Sequence, residues 1–367
     1  MENTTVTSNR LMSLDFMRGL IMVLLVLEST MLYEHLAEVS EGSWLHHFFA
    51  QFFHHPWNGL RFWDIIQPGF MFIAGTAMAY SLVRQEQLGV PWNDRLKKVL
   101  IRCFWLFFWG VLNYAVQRDG TLSFELWNVL TQLSFTTLVA FLIFRWPYLW
   151  QIIFSAGLLL LTEILYRFTN IPGFDQPFTD QHNFGNYMDL ILMNQINSDG
   201  WVAINALPTA VHTIAGAIVG KIFLTEDRKI RPLLIAGFSS LLIGYFLEFA
   251  DITPIIKRIA TSSFTIVTLG WCLLALALAY WWIDVKNHKR NLQFFTIVGM
   301  NSLFIYLFFE IIGHRWFNEY AGAIGRGVFG WLHLPEHLIN ILVSLMIFGL
   351  EWYLCYFLYR KKIFFKI

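Results

Sequence analysis

Apolar residues gather in stretches of near-spanning length, separated by short polar or charged breaks. A membrane-crossing helix needs roughly 20 mostly apolar residues. Stretches of about that kind run from Phe16 to Tyr33, Leu60 to Val83, Val99 to Val116, Leu126 to Phe144, Leu149 to Tyr166 and Ala206 to Phe223. Four more cover Pro232 to Phe249, Ser263 to Trp282, Phe294 to Ile312 and His337 to Tyr359. The fourth and fifth form a tight pair, broken by Arg145-Trp146-Pro147. The pattern predicts an all-α polytopic transmembrane bundle of about ten spans, forming one domain over residues 1–367. The short, Gly-rich stretch Tyr320 to Leu332 would be an eleventh, re-entrant or interfacial, piece.

Composition agrees. Hydrophobic residues make up 56% of the chain, aromatics 18% and charged residues only 14%, against about 25% charge in a soluble domain. This excludes an ordinary soluble protein and makes the lipid bilayer the expected surroundings. No small-residue cleavage site follows the first apolar stretch, so no cleaved signal peptide is expected. The net charge of +1 says little about partners, and no nucleic-acid partner is expected. The distribution of charge is more informative. With the N-terminus placed in the cytoplasm and the spans alternating, 19 of the 26 Lys and Arg residues fall inside. That excess follows the positive-inside rule and puts both termini in the cytoplasm. Asn3-Thr4-Thr5, a glycosylation-type triplet, then lies inside. The loop from Glu34 to Trp57, which has no Lys or Arg, lies outside. So does the polar loop from Arg167 to Trp201, expected to order over the site as a lid.

Candidate chemistry collects around His54-His55-Pro56-Trp57-Asn58-Gly59 and the following Asp64 and Pro68. Histidine suits proton transfer near neutral pH, although two histidines among aromatics also describe an interfacial belt. Five histidines crowd this loop, but none shows zincin spacing and no cysteine assists, so no metal is expected. Cys103, Cys272 and Cys355 each lie inside an apolar stretch, which suggests no disulfide framework. A carboxylate at membrane depth is costly and marks a candidate site; Asp64 and Glu28 both qualify. Pro68, four residues after Asp64, would free the Asp64 carbonyl and kink a helix. Alternatively Asp64 pairs with Arg61, and Glu28 is a snorkelling interfacial acid. Asp15 and Arg18 read as a helix ion pair, or Arg18 as a phosphate ligand. Lys257 with Thr261-Ser262-Ser263 either caps a helix or binds a polar ligand. Asn301 in Gly299-Met300-Asn301-Ser302 needs a partner. His212 reads as a packed interhelical donor.

Taken in order, these pieces resemble the heparan-α-glucosaminide N-acetyltransferase family. The resemblance rests on Arg10-Leu11-Met12-Ser13-Leu14-Asp15 with Arg18-Gly19, on His54-x-x-Trp57-Asn58-Gly59 with Asp64, Pro68 and Phe72 to Gly75, and on Asn205-Ala206-Leu207-Pro208 through Gly216 and Gly220. It continues through Lys257 with Thr261-Ser262-Ser263, Tyr280-Trp281-Trp282-Ile283-Asp284-Val285 and Gly299-Met300-Asn301-Ser302. It implies a transmembrane acetyltransferase that moves an acetyl group from cytoplasmic acetyl-CoA to an amino sugar of a glycan outside. His54, three residues before Trp57-Asn58-Gly59, inherits the catalytic role. Asp64 or Glu28 would orient it, either for direct transfer or through an acetyl-histidine. Arg18, Lys98 and Asn301 are the expected acetyl-CoA residues of the inner half, and Trp57, Asn58, Lys257 and Ser262 the expected acceptor residues. Ser29 stands where the family usually has an asparagine. The chain lacks the long luminal N-terminal extension of the lysosomal member, which implies a bacterial relative of the inner (cytoplasmic) membrane, with a homodimer as a further expectation. Two other functions stay open: O-acylation of exported polysaccharide, and proton-coupled transport through Glu28, Asp64 and His54. The absence of a convincing internal repeat counts against transport.

Overall fold

The computed structural model describes residues 11–115, 121–226 and 229–365. Arg10, Asn3-Thr4-Thr5 and Val116, named above, and Arg118, Arg228 and Lys366 of the charge count lie outside the described residues.

The chain opens with helix α1 (Met12–Ser29), which turns at Met31 into α2 (Leu32–Val39), followed by the short α3 (Trp44–Phe49). A 3-10 turn, Phe62–Ile65, leads into α4 (Ile66–Gln87), and α5 (Trp92–Tyr114), α6 (Val129–Leu142) and α7 (Tyr148–Phe168) follow. The polar loop then carries α8 (Phe184–Met193), before α9 (Ala206–Thr225), α10 (Ile230–Phe249) and α11 (Ser262–Ala279). The remainder is α12 (Gln293–Met300), α13 (Ser302–Leu307), a π-helical stretch Phe308–Phe317, α14 (Asn318–Gly330) and α15 (Glu336–Arg360).

Among the described residues, six helices are long and apolar enough to cross a membrane. The number is eight if two bent pairs count as one span each: α1 with α2, at 67°, and α12 with the α13–α14 run, at 74°. Hydropathy had suggested ten. The other two correspond to α5 and α6, which form as helices but differ in kind. The first two turns of α5 carry Asp94, Arg95, Lys97 and Lys98. Helix α6 has 14 residues, about 21 Å at 1.5 Å per residue and short of a bilayer core. The Gly-rich stretch beginning at Tyr320 belongs to α14, the far arm of the second bent pair.

Small residues let the helices touch at backbone distance. A Cβ on Gly75 would lie 2.0 Å from the Thr213 carbonyl oxygen, and one on Gly216 would lie 2.0 Å from that of Phe72. Helices α4 and α9 are therefore locked together. Across the same core, His212 on α9 meets the Thr268 hydroxyl on α11 at 2.9 Å, the interhelical role expected for it. Asp284, just beyond α11, ties that helix to the start of the chain. Its two carboxylate oxygens accept the Met12 and Ser13 amides, each at 3.1 Å. A negative group on these otherwise orphaned N–H donors caps the N-terminus of α1 and complements its dipole.

Helix alternation sorts the connections to two ends. At one end the 53–61, 169–205 and 250–261 loops are tied together: the Trp57 indole donates to the Phe178 carbonyl at 2.8 Å, and the Arg258 guanidinium donates to the Asp199 carbonyl. At the other end Lys221 donates to the Phe144 carbonyl at 2.9 Å, and Arg145 pairs with Glu86 at 2.9 Å.

Candidate functional site

His54 and Lys257 are far apart in sequence, and a backbone pairing brings them together. Asn58 and Ile256 form an isolated antiparallel bridge, and the Gly59 amide donates to the Ile255 carbonyl at 2.8 Å. Gly59 has φ +134°, and a Cβ there would meet the His55 ring at 2.6 Å, so the position calls for glycine. The partner strand is held by a tight turn in which Ala260 N donates to the Lys257 carbonyl at 2.9 Å. Thr261 Oγ1 accepts from Ile256 N at 3.0 Å and donates to the Pro254 carbonyl at 2.7 Å.

The Lys257 ammonium is thus delivered to His54. Its Nζ lies 3.0 Å from His54 Nδ1 and 3.6 Å from Asp64 Oδ1. Asp64 Oδ1 is itself 3.0 Å from His54 Nδ1. The second carboxylate oxygen accepts the Arg61 amide at 2.9 Å and the His55 amide at 3.2 Å. Asp64 is completely buried, and this shell of donors satisfies it. The Arg61 guanidinium turns instead to the His54 carbonyl, at 3.1 Å. Pro68 does not fall in a helix interior: α4 begins at Ile66, so Pro68 sits in its first turn, where a missing N–H costs nothing and no kink is called for. Asp64 lies just before that helix, in the 3-10 turn.

Burial, and then the positive charge of Lys257, push the imidazole of His54 below its ordinary value, with Asp64 pulling the other way. Burial brings the Lys257 ammonium down to about 8, although Asp64 and Glu28 favour its charge.

His54, Lys257 and Glu28 face a cavity of about 370 Å³. Its walls are mostly apolar, with Trp63, Trp127, Trp201 and Phe70 prominent. Trp201 stands edge-on to His54 at 5.6 Å between ring centres and lies beside the Lys257 ammonium at 5.5 Å. Asn197 and Asp199, from the same loop, also line the cavity, so the polar loop expected as a lid contributes to its wall. Its helix α8 is pinned by Asp189, which is buried and accepts from the Trp127 indole at 3.0 Å and from Ala203 N at 2.9 Å. Glu28 and Trp63 line the same cavity, as do Tyr306 and Glu310, and Glu310 accepts from the Tyr114 hydroxyl at 3.4 Å. Glu310 was missed, although an isolated acid in the run Phe308-Phe309-Glu310-Ile311-Ile312 is the same signal that drew attention to Glu28.

The other expected residues fall elsewhere. Trp57 and Asn58 do not line the cavity; they hold the loops that carry His54 and Lys257. Ser262 is buried in the first turn of α11, with its hydroxyl unpaired among the described residues. Arg18 pairs with Asp15 at 2.5 Å, and its Nε has no partner among the described residues. Lys98 is exposed on α5. Asn301 is buried, and both ends of its amide bind the C-terminal segment: Nδ2 donates to the Ile363 carbonyl and Oδ1 accepts from Phe365 N, each at 3.0 Å. Arg18, Lys98 and Asn301 share no cavity with His54. The described residues contain no group of three or more His, Cys, Asp or Glu placed to hold a metal.

This is a multi-pass helical membrane protein in which a half-buried His54 is set against the buried Asp64 and Lys257 beside an internal cavity. No family model matches the chain. Over 98% of its length it is 24% identical to human heparan-α-glucosaminide N-acetyltransferase, and it matches the mouse enzyme to the same degree. A match of this extent shows a distant relationship to those acetyltransferases, in line with the resemblance carried by the motifs. The chain spans about 60% of the length of these relatives.

Proposed function

We propose that the protein is a transmembrane acetyltransferase, taking an acetyl group from acetyl-CoA and passing it to an amino sugar of a glycan at the His54 end. The observation that carries this reading is His54, bonded to a buried carboxylate and facing a mostly apolar cavity, in a chain related along nearly its whole length to acetyltransferases. The excess of basic residues at the opposite end supports a cytoplasmic donor side. CoA is too charged to cross lipid, so its nucleotide would stay at that end, with Arg18 and Lys98 as contacts and Asn301 fixing the C-terminal segment nearby. The pantetheine arm would bring the thioester toward the cavity. His54 would take the proton of the attacking amine, oriented by Asp64. Glu28 would lie deeper in the same cavity. Trp57 and Asn58 would act by holding the loops over the acceptor.

The test is transfer of labelled acetyl from acetyl-CoA to glucosamine on the opposite side of proteoliposomes, with His54→Ala as control. Transfer by the wild type and its loss in the variant supports the reading. Label arriving only on sugar hydroxyls would make the protein an O-acetyltransferase. Proton-coupled solute movement without transfer would make it a transporter.

A further inference from the structure

His54 Nδ1 has two neighbours at the same distance, Asp64 Oδ1 at 3.0 Å and Lys257 Nζ at 3.0 Å. A neutral imidazole nitrogen carries either a proton or a lone pair. It cannot donate to the carboxylate and accept from the ammonium at once. The site therefore has two states. When Lys257 donates to Nδ1, the ring proton sits on Nε2. When Nδ1–H donates to Asp64, Nε2 carries the lone pair. Only the second state can remove a proton at Nε2.

We propose that Lys257 is a positioning residue that sets the tautomer of His54. As an ammonium bonded to Nδ1, it holds the ring in the Nε2–H form, which cannot act as a base through Nε2. As a neutral amine it releases Nδ1 to Asp64 and exposes the Nε2 lone pair. Lys257 is thereby removed from the acceptor-binding residues. The inference rests on the acetyltransferase reading for its consequence, but not for its geometry.

The surroundings of Lys257 favour such a switch. The side chain is buried, so its charge is held at a cost, and its ammonium titrates near 8. The charged groups facing it are few. Asp64 lies at its side and Glu28 across the cavity, and both stabilise the ammonium. Arg258, the next residue, opposes it, while the Trp201 ring lies 5.5 Å away. With Asp64 Oδ1 only 3.6 Å from Nζ, the ammonium can pass between carboxylate and imidazole without leaving the pocket.

Two measurements on the full-length protein in nanodiscs test the proposal. In the first, histidine rings are labelled with ¹⁵N, and His54 is assigned by its absence in His54→Gln. The wild type is expected to change from the Nε2–H to the Nδ1–H tautomer as Lys257 loses its proton. Lys257→Met is expected to keep the Nδ1–H form throughout, and Lys257→Arg to keep the Nε2–H form. An unchanged tautomer in all three overturns the proposal, whether or not the protein transfers acetyl groups. The second measurement is the pH profile of kcat. Wild-type kcat should rise with the Lys257 titration. Lys257→Met should lose that rise, with KM for acetyl-CoA unchanged, and Lys257→Arg should stay low at every pH. A Lys257→Met that loses activity by the same factor at all pH values, or changes only KM, would show a merely structural or binding role. Thermal unfolding of both variants checks that they fold; if Lys257→Met does not, the Lys257→Arg tautomer alone decides. Absence of transfer by the wild type would count against the acetyltransferase reading and leave the NMR result standing.

Discussion

The indole of Trp127 donates to the buried carboxylate of Asp189 at 3.0 Å, tying the connection that follows α5 to helix α8 of the loop whose later residues line the cavity. Asp189 also receives Ala203 N, so one side chain joins three segments. Asp189→Ala would leave two donors unpaired, at a cost of roughly 1–3 kcal/mol each. Burial pushes the carboxyl of Asp189 up to about 7, from an ordinary value of 3.8. A raised acid favours the folded lid at low pH, and that contribution fades as pH rises through about 7. Limited proteolysis of the 169–205 loop should therefore accelerate in the wild type as pH rises from about 4 to about 7, and level off above that. In Asp189→Ala it should be fast at every pH.

The adjacent histidines should separate cleanly. His54→Ala should lower acetyl transfer by about 10²- to 10⁴-fold, the usual worth of a general base. The His55 side chain packs over Gly59, its Nδ1 unpaired among the described residues, and its backbone amide is what serves Asp64. His55→Ala keeps that amide and should retain most of the activity. Parallel rate measurements on the two variants are sufficient; equal losses would refute the assignment.

Asp64→Ala should be the most destabilising single change at the site. It removes the anionic partner of the buried Lys257 ammonium, and breaking a buried pair in this way costs on the order of 3–5 kcal/mol. Adding Lys257→Met should restore much of the stability but none of the orientation of His54. Thermal unfolding of the single and double variants measures this coupling.

Gly216→Val should unfold the bundle or lower its melting temperature sharply. Its Cβ position lies 2.0 Å from the Phe72 carbonyl, which belongs to helix backbone and cannot rotate aside. Overpacking typically costs about 1–3 kcal/mol, occasionally more. Gly157→Val is the control, because nothing lies within 4 Å of a Cβ there. Melting curves in one detergent compare the two.

Hydropathy was sufficient for the helical elements because lipid demands long apolar runs, and ten such runs became helices. Its ten runs exceed the six to eight candidate spans among the described residues because α5 mixes basic and apolar residues and α6 is short. His54, Asp64 and Glu28 were legible because polar groups at the edge of apolar runs stand out. The contact of Lys257 with His54 was not, since it depends on a bridge between Asn58 and Ile256 that local pattern does not record. Pro68 was misread for a related reason: a proline four residues after an acid signals a kink only if the helix already includes that acid. Here α4 begins after Asp64. Asn301 was noted as needing a partner, but its partner is the C-terminal segment, and no spacing rule links the two.

The cover over the cavity is fastened at Trp57 to Phe178, at Arg258 to Asp199 and at Asp189 to Trp127. A cover bolted along three edges does not swing like a door. Opening it would sacrifice these fastenings together, a cost that the movement of one side chain avoids. Trp201 is such a side chain, partly exposed, with its ring against His54 and Lys257. On the proposed acetyltransferase reading, the turn of this one indole would set the largest acceptor that can pass.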